Sequence, residues 1–87
     1  MELAEFDAAF DRIPEGYSQG AYEGRRFGVT VKRSGDRRRN SLFAKDLAGT
    51  DIVSFNLYQL SSGATSLKPC EMPVGKVVAF VLGYRPD

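Results

Sequence analysis

The chain predicts an α+β fold: an antiparallel β-sheet of about four strands, connected as a meander, with an N-terminal and a C-terminal helix packed on one face. Three observations predict it. Apolar residues near the start recur at helical steps, those between residues 25 and 60 alternate with polar ones, and a run at 74–82 returns to helical spacing. A length of 87 residues accommodates one such domain, residues 1–87, and no second core.

Leu3, Phe6, Phe10 and Ile13 recur at steps of three and four, with Ala8 and Ala9 between them, while Glu2, Glu5, Asp7 and Asp11 fall on the other sides. Pro14-Glu15-Gly16 stops this helix. At about 12 residues it is marginal in isolation and must dock its apolar face. In Arg25 to Arg33, Phe27, Val29 and Val31 alternate with polar residues, a strand with a period of two. Ser34-Gly35-Asp36 reads as a hairpin turn, and Asn40 to Lys45 as the returning strand, with Leu42 and Ala44 inward and Phe43 outward. After a turn at Ala48-Gly49-Thr50-Asp51, Ile52 to Leu60 directs Val53, Phe55 and Leu57 inward and Ser54, Asn56 and Tyr58 outward. Ser61-Ser62-Gly63 turns again into a short strand from Ser66 to Cys70. Pro69 cannot donate a ladder hydrogen bond, which sends that strand to an edge. Val77 to Leu82 has β-branched residues suited to a strand, yet Val74, Val77, Val78 and Val81 fall at i, i+3, i+4 and i+7. Pro73 before them and Gly83 after them favour a helix.

Charge is sorted along the chain. Residues 1–23 carry Glu2, Glu5, Asp7, Asp11, Glu15 and Glu23 against Arg12 alone. Residues 24–39 carry Arg25, Arg26, Lys32, Arg33, Arg37, Arg38 and Arg39 against Asp36 alone. Beyond residue 40 the charges cancel, so the formal net of +1 hides two opposed fields. Such asymmetry bears on partners more than on fold. The longest apolar run, Val77 to Leu82, is far short of the roughly 20 residues that span a bilayer. The chain opens on an acidic amphipathic segment and has no basic-then-apolar leader, and its one cysteine excludes an internal disulfide. The expectation is a cytoplasmic protein with no membrane partner.

The basic hairpin is the first candidate site. Alternation places Arg26, Thr30 and Lys32 beside Arg39, Phe43, Asn56 and Tyr58 on the sheet face away from the helices. With the turn residues, the candidate binding set is Arg25, Arg26, Lys32, Arg37, Arg38, Arg39, Phe43, Asn56 and Tyr58. Guanidinium groups beside exposed rings suit single-stranded nucleic acid, where bases stack at about 1–3 kcal/mol each. The competing reading is that the acidic helix lies against the hairpin and neutralises it, in surface ion pairs worth about 0–1 kcal/mol each. Arg38-Arg39-Asn40-Ser41 also fits a basophilic phosphorylation pattern, which is common by chance.

Gly20, Gly24 and Gly28 recur every fourth residue, as if sharing one strand face where a backbone approaches closely. No phosphate-loop pattern accompanies them. Cys70 precedes the second helix, whose N-terminus favours a thiolate, but no histidine exists to act as base and Glu71 opposes the charge. A packed thiol at a strand end is the plainer reading. With no histidine and one cysteine the usual transition-metal ligands are missing, and no cofactor motif is present. Asp46, Asp51 and Glu71 at strand ends read as caps in solvated turns, not as a paired acid and base. The residues argue against an enzyme.

The stretch containing "GRRFGVTVKRSG", "LFAKDLAGTDIVSFNLYQL", "LKPCEMP" and "KVVAFVLGY" resembles short bacterial proteins of uncharacterised function. Some of those carry the label peptide methionine sulfoxide reductase. The "GCFW" and "RYCxN" segments of such enzymes do not occur here, and Cys70 in "KPCEMP" has no resolving cysteine. The resemblance implies a bacterial stand-alone domain and transfers no catalytic residue.

The functional expectation is therefore a non-catalytic interaction module. It would engage a protein partner, or a second copy of itself, through an open sheet face and the basic hairpin. The alternative is single-stranded nucleic-acid binding through Arg25, Arg26, Arg37, Arg38 and Arg39 with Phe43 and Tyr58. A third reading is thiol-dependent redox chemistry at Cys70.

Overall fold

A computed structural model describes residues 3–87; Glu2 and the side chain of Leu3, both assigned to the first helix above, lie outside the described residues. The order of elements is α1 (Leu3–Asp11), β1 (Gly16–Tyr22), β2 (Arg25–Arg33), β3 (Arg39–Asp46), β4 (Ile52–Gln59), β5 (Thr65–Pro69), α2 (Val74–Gly83) and β6 (Arg85–Pro86). The strands form one antiparallel sheet in the order β5-β4-β3-β2-β1-β6. The fold class is the expected one: a meander with both helices on one face, packed together. The sheet has six strands where about four were expected, because β1 and β6 join it at the β2 side.

Strand alternation decides which residues meet the helices. Phe27, Val29 and Val31 of β2, Leu42 and Ala44 of β3, and Val53, Phe55 and Leu57 of β4 are all buried. Against them α1 lays Phe6, Ala9, Phe10 and Ile13, with the Phe6 and Phe10 rings 5.7 and 5.8 Å from that of Phe55. α2 contributes Val77, Phe80 and Val81, followed by Tyr84. This face is shifted from the expected valine stripe: Val74 is 48% exposed and Val78 only partly buried. The anchor is Phe80, whose ring packs 5.2 Å from Phe27 and 4.9 Å from Tyr22, so the helix turns to bury the largest side chain it has. Gly83 ends α2 where a cap was expected, but its cause is steric: a Cβ there would lie 2.9 Å from Tyr22 Cε1.

The turns set the register. Glu23 and Gly24 have φ of 50° and 76°, the consecutive left-handed residues of a two-residue hairpin between β1 and β2. Gly24 is thus a turn residue, Gly20 faces the helices and Gly28 the opposite side, so the three do not share a strand face. Gly20 lets the chain around Tyr84–Pro86 approach; a Cβ there would sit 2.7 Å from the Tyr84 hydroxyl. In the β2–β3 loop, the Asp36 carboxylate accepts from Ser34 Oγ (2.6 Å) and the Arg38 N–H (3.0 Å), while Ser34 Oγ accepts from the Arg39 N–H (3.0 Å). No helix among the described residues is long and apolar enough to cross a membrane.

Candidate functional site: the open sheet face

Arginines of the basic hairpin are divided by strand parity. Arg25 and Arg33 alternate in register with buried Phe27, Val29 and Val31, and so fall on the helix side. Arg25 donates to Asp46 at 3.0 Å, lies 4.0 Å from Asp51 and leans over the Phe27 ring. Arg33 donates to the carbonyls of Phe10 and Ile13, both at 3.0 Å, with its guanidinium 4.7 Å from the Phe10 ring centroid. It thereby closes the C-terminal end of α1, where carbonyls lack helical partners. Burial, and then the charge of Arg37, lower its pKa from the usual arginine value. Arg37, at φ 60°, turns toward α1 and pairs with Asp11 at 3.2 Å. Arg25 and Arg37 are therefore not part of the open face, contrary to the sequence expectation. Their side chains serve the helix layer. Asp11–Arg37 is the only ion pair between the acidic helix and the hairpin among the described residues.

Arg26, Lys32 and Arg39 point the other way. The register aligns side chains into rows across the open face. One row runs Lys32, Ser41, Asn56, Lys68; beside it lie Tyr17, Thr30, Phe43, Ser54; on its other side lie Arg39, Tyr58, Ser66. Lys45 stands opposite Gly28 and Ile52 in a further row. Phe43 is 48% and Tyr17 61% exposed, while Tyr58 is half-buried. Tyr17 lies flat over Gly28, where a Cβ would come within 2.5 Å of its hydroxyl, and Gln19 Nε2 donates to that hydroxyl at 3.1 Å.

Two adjoining depressions occupy this face. One, of about 370 Å³, is lined by Lys32, Arg39, Ser41, Asn56 and Tyr58 among others. The second, of about 230 Å³, continues along Thr30, Phe43, Ser54 and Cys70, and the two share Lys32, Ser41 and Asn56. Cys70 is exposed in the second depression and not packed as expected; its N–H donates to the Ser54 carbonyl at 3.0 Å. Arg26 is held by Asp87 through two hydrogen bonds, the first at 2.8 Å, and this contact keeps the Asp87 carboxyl below the usual range. Lys32, Arg39, Lys45 and Lys68 have no ion-pair partner among the described residues, nor does Arg38 in the loop.

Asp46, expected in a solvated turn, lies inside the fold. It is 2% exposed, not solvated, and accepts from Arg25 and from the Ala48 N–H at 3.0 Å. Asp51 beside it accepts from Lys76 at 2.7 Å, which with its local hydrogen bonds lowers its pKa. These acids fasten the β3–β4 turn to β2 and α2. Among the described residues no three His, Cys, Asp or Glu side chains converge as metal ligands would. Comparison of the chain with protein-family models, curated proteins and solved structures returns no match.

Proposed function

We propose that the protein is a non-catalytic interaction module whose working surface is the open sheet face and whose partner is an extended polyanion. One observation carries this reading: Lys32, Arg39, Lys45 and Lys68 project from a face whose strand positions include no acid among the described residues, while Asp87 beside it is tied to Arg26 and Asp36, whose charge reaches Arg39, sits in the β2–β3 loop. A cationic surface without acids of its own attracts negative partners and concentrates them. The sheet edges favour this face over strand-to-strand self-association. β5 has five residues and ends at Pro69, and β6 has two, including Pro86, so neither offers a long ladder.

Heparin, a polyanion without bases, probes the charge alone. Immobilised heparin is expected to retain the protein, and Lys32→Glu with Arg39→Glu to lower the salt concentration of elution markedly. Elution of that double variant at the wild-type salt would remove the open face from the proposal.

A further inference from the structure

Resting on the polyanion reading, we infer that the partner is single-stranded nucleic acid, with bases stacked on Phe43 and Tyr58 either side of the Lys32–Lys68 row. The geometry separates this from a merely basic patch. Lysines stand at both ends of that row, and the positions between them are Ser41 and Asn56, which are small and polar. Strand spacing sets Lys32 and Lys68 about 14 Å apart across the sheet. Phe43 and Tyr58 sit diagonally across the same row, also about 14 Å apart, since Phe43 pairs with Ser54 four residues before Tyr58. An extended strand that places two bases on these rings crosses the row between Ser41 and Asn56, with the Lys32 and Lys68 backbones about 7 Å to either side, so that their long side chains flank its intervening phosphates.

Three further features suit bases more than carboxylates. Among the described residues the Phe43 and Tyr58 rings stack on no other aromatic ring, whereas those of the core do. Side chains of Thr30, Ser41, Ser54, Asn56 and Ser66 make no hydrogen bond among the described residues, leaving an amide and hydroxyls free for base edges. Lys32, Ser41 and Asn56 line both depressions, so the rings and the amide share one continuous trough. An acidic polypeptide would use the lysines but gain little from the rings. A duplex keeps its base faces stacked and inaccessible to both.

The test is fluorescence anisotropy with a short oligouridine, a short oligothymidine, a duplex of equal length and heparin as competitor. Single strands are expected to bind more tightly than the duplex, with log affinity falling linearly in log salt. Phe43→Leu and Tyr58→Leu keep apolar volume on the sheet but remove the π-face. Each is expected to weaken single-strand binding by about 5- to 150-fold, the equivalent of one lost stack, and to leave heparin elution unchanged. Melting curves of both variants verify that the fold is kept. Duplex binding equal to single-strand binding, or leucine variants with wild-type affinity for oligouridine, would overturn the inference. The polyanion reading would survive that result if Lys32→Glu with Arg39→Glu still lowered heparin elution, and would fall with it otherwise.

Discussion

Asp7 is the residue most at odds with its surroundings. Its Oδ1 is buried without a hydrogen-bond partner among the described residues, and α1 places Asp11 one turn further on. Desolvation first, and the charge of Asp11 second, raise its pKa above the usual carboxylate value. A raised acid is easier to protonate in the folded state than in the unfolded one. Ionised Asp7 therefore opposes folding in full above its folded pKa, and the penalty shrinks as pH falls below that value and is gone below the unfolded one. Asp7→Asn is expected to raise the melting temperature at pH 7, and this gain should vanish in acid, below the unfolded value near 3.8. A gain that persisted unchanged at low pH would locate the effect in packing instead. Asp36, Asp51 and Asp87 run in the opposite direction: hydrogen bonds from Ser34, Lys76 and Arg26 lower their pKa values. Their contribution is present above the unfolded value and is lost as pH falls through the folded ones.

At the scale of elements, the C-terminal end of α1 depends on a strand. The helix has no basic residue in its last turn and ends in Asp11, against its own dipole. Arg33 compensates from β2 by meeting the Phe10 and Ile13 carbonyls and stacking on the Phe10 ring. Arg33→Ala removes two charge-assisted hydrogen bonds and the cation–π contact, for a loss of about 1.5–3 kcal/mol. At this chain length that is a fall in melting temperature on the order of 10 °C. Arg33→Lys should recover part of it, and an alanine variant melting with the wild type would refute the capping role. The elements that were legible from sequence are those marked by local signals: α1, β2, β3 and β4 with their inward residues, the edge strand β5 with its Pro69, and α2 with its flanking Pro73 and Gly83. β1 was not. Its helix-facing positions are Gly16, Ser18, Gly20 and Tyr22, and its most exposed large residue is Tyr17, so no apolar alternation marks it as a strand. Its cover comes from Tyr84, whose hydroxyl reaches Ser18 Oγ at 3.4 Å and overlies Gly20. That contact joins residues 66 positions apart, and local spacing carries no trace of it. β6 is defined only by pairing with β1.

For the whole molecule, the charge blocks of the sequence are resolved by the two faces of the sheet. The run from 24 to 39 reads as one basic hairpin, and period-two alternation correctly directs Arg26, Lys32 and Arg39 outward with Phe43, Asn56 and Tyr58. What alternation could not reveal is the destination of the remaining arginines, since Asp46 comes from the end of β3 and the α1 carbonyls from the other end of the domain. Lys45 and Lys68 likewise join the open face only through register, lying outside the basic run of the sequence. Arginines of similar exposure thus serve different ends, and the two roles should separate experimentally. Arg25→Ala leaves Asp46 buried with only the Ala48 N–H for compensation, and is expected to cost about 1–3 kcal/mol of stability in a denaturant titration. Its affinity for heparin should stay within about twofold of wild type, because a charge on the far side of the sheet is screened beyond a Debye length of roughly 8–10 Å. Lys32→Ala with Arg39→Ala should do the reverse, weakening polyanion binding while shifting stability by no more than about 0.5 kcal/mol, as expected of exposed residues outside any cap or core. If Arg25→Ala weakened heparin retention as much as that pair, the cationic surface would extend around the sheet edge and the division of labour between its faces would be lost.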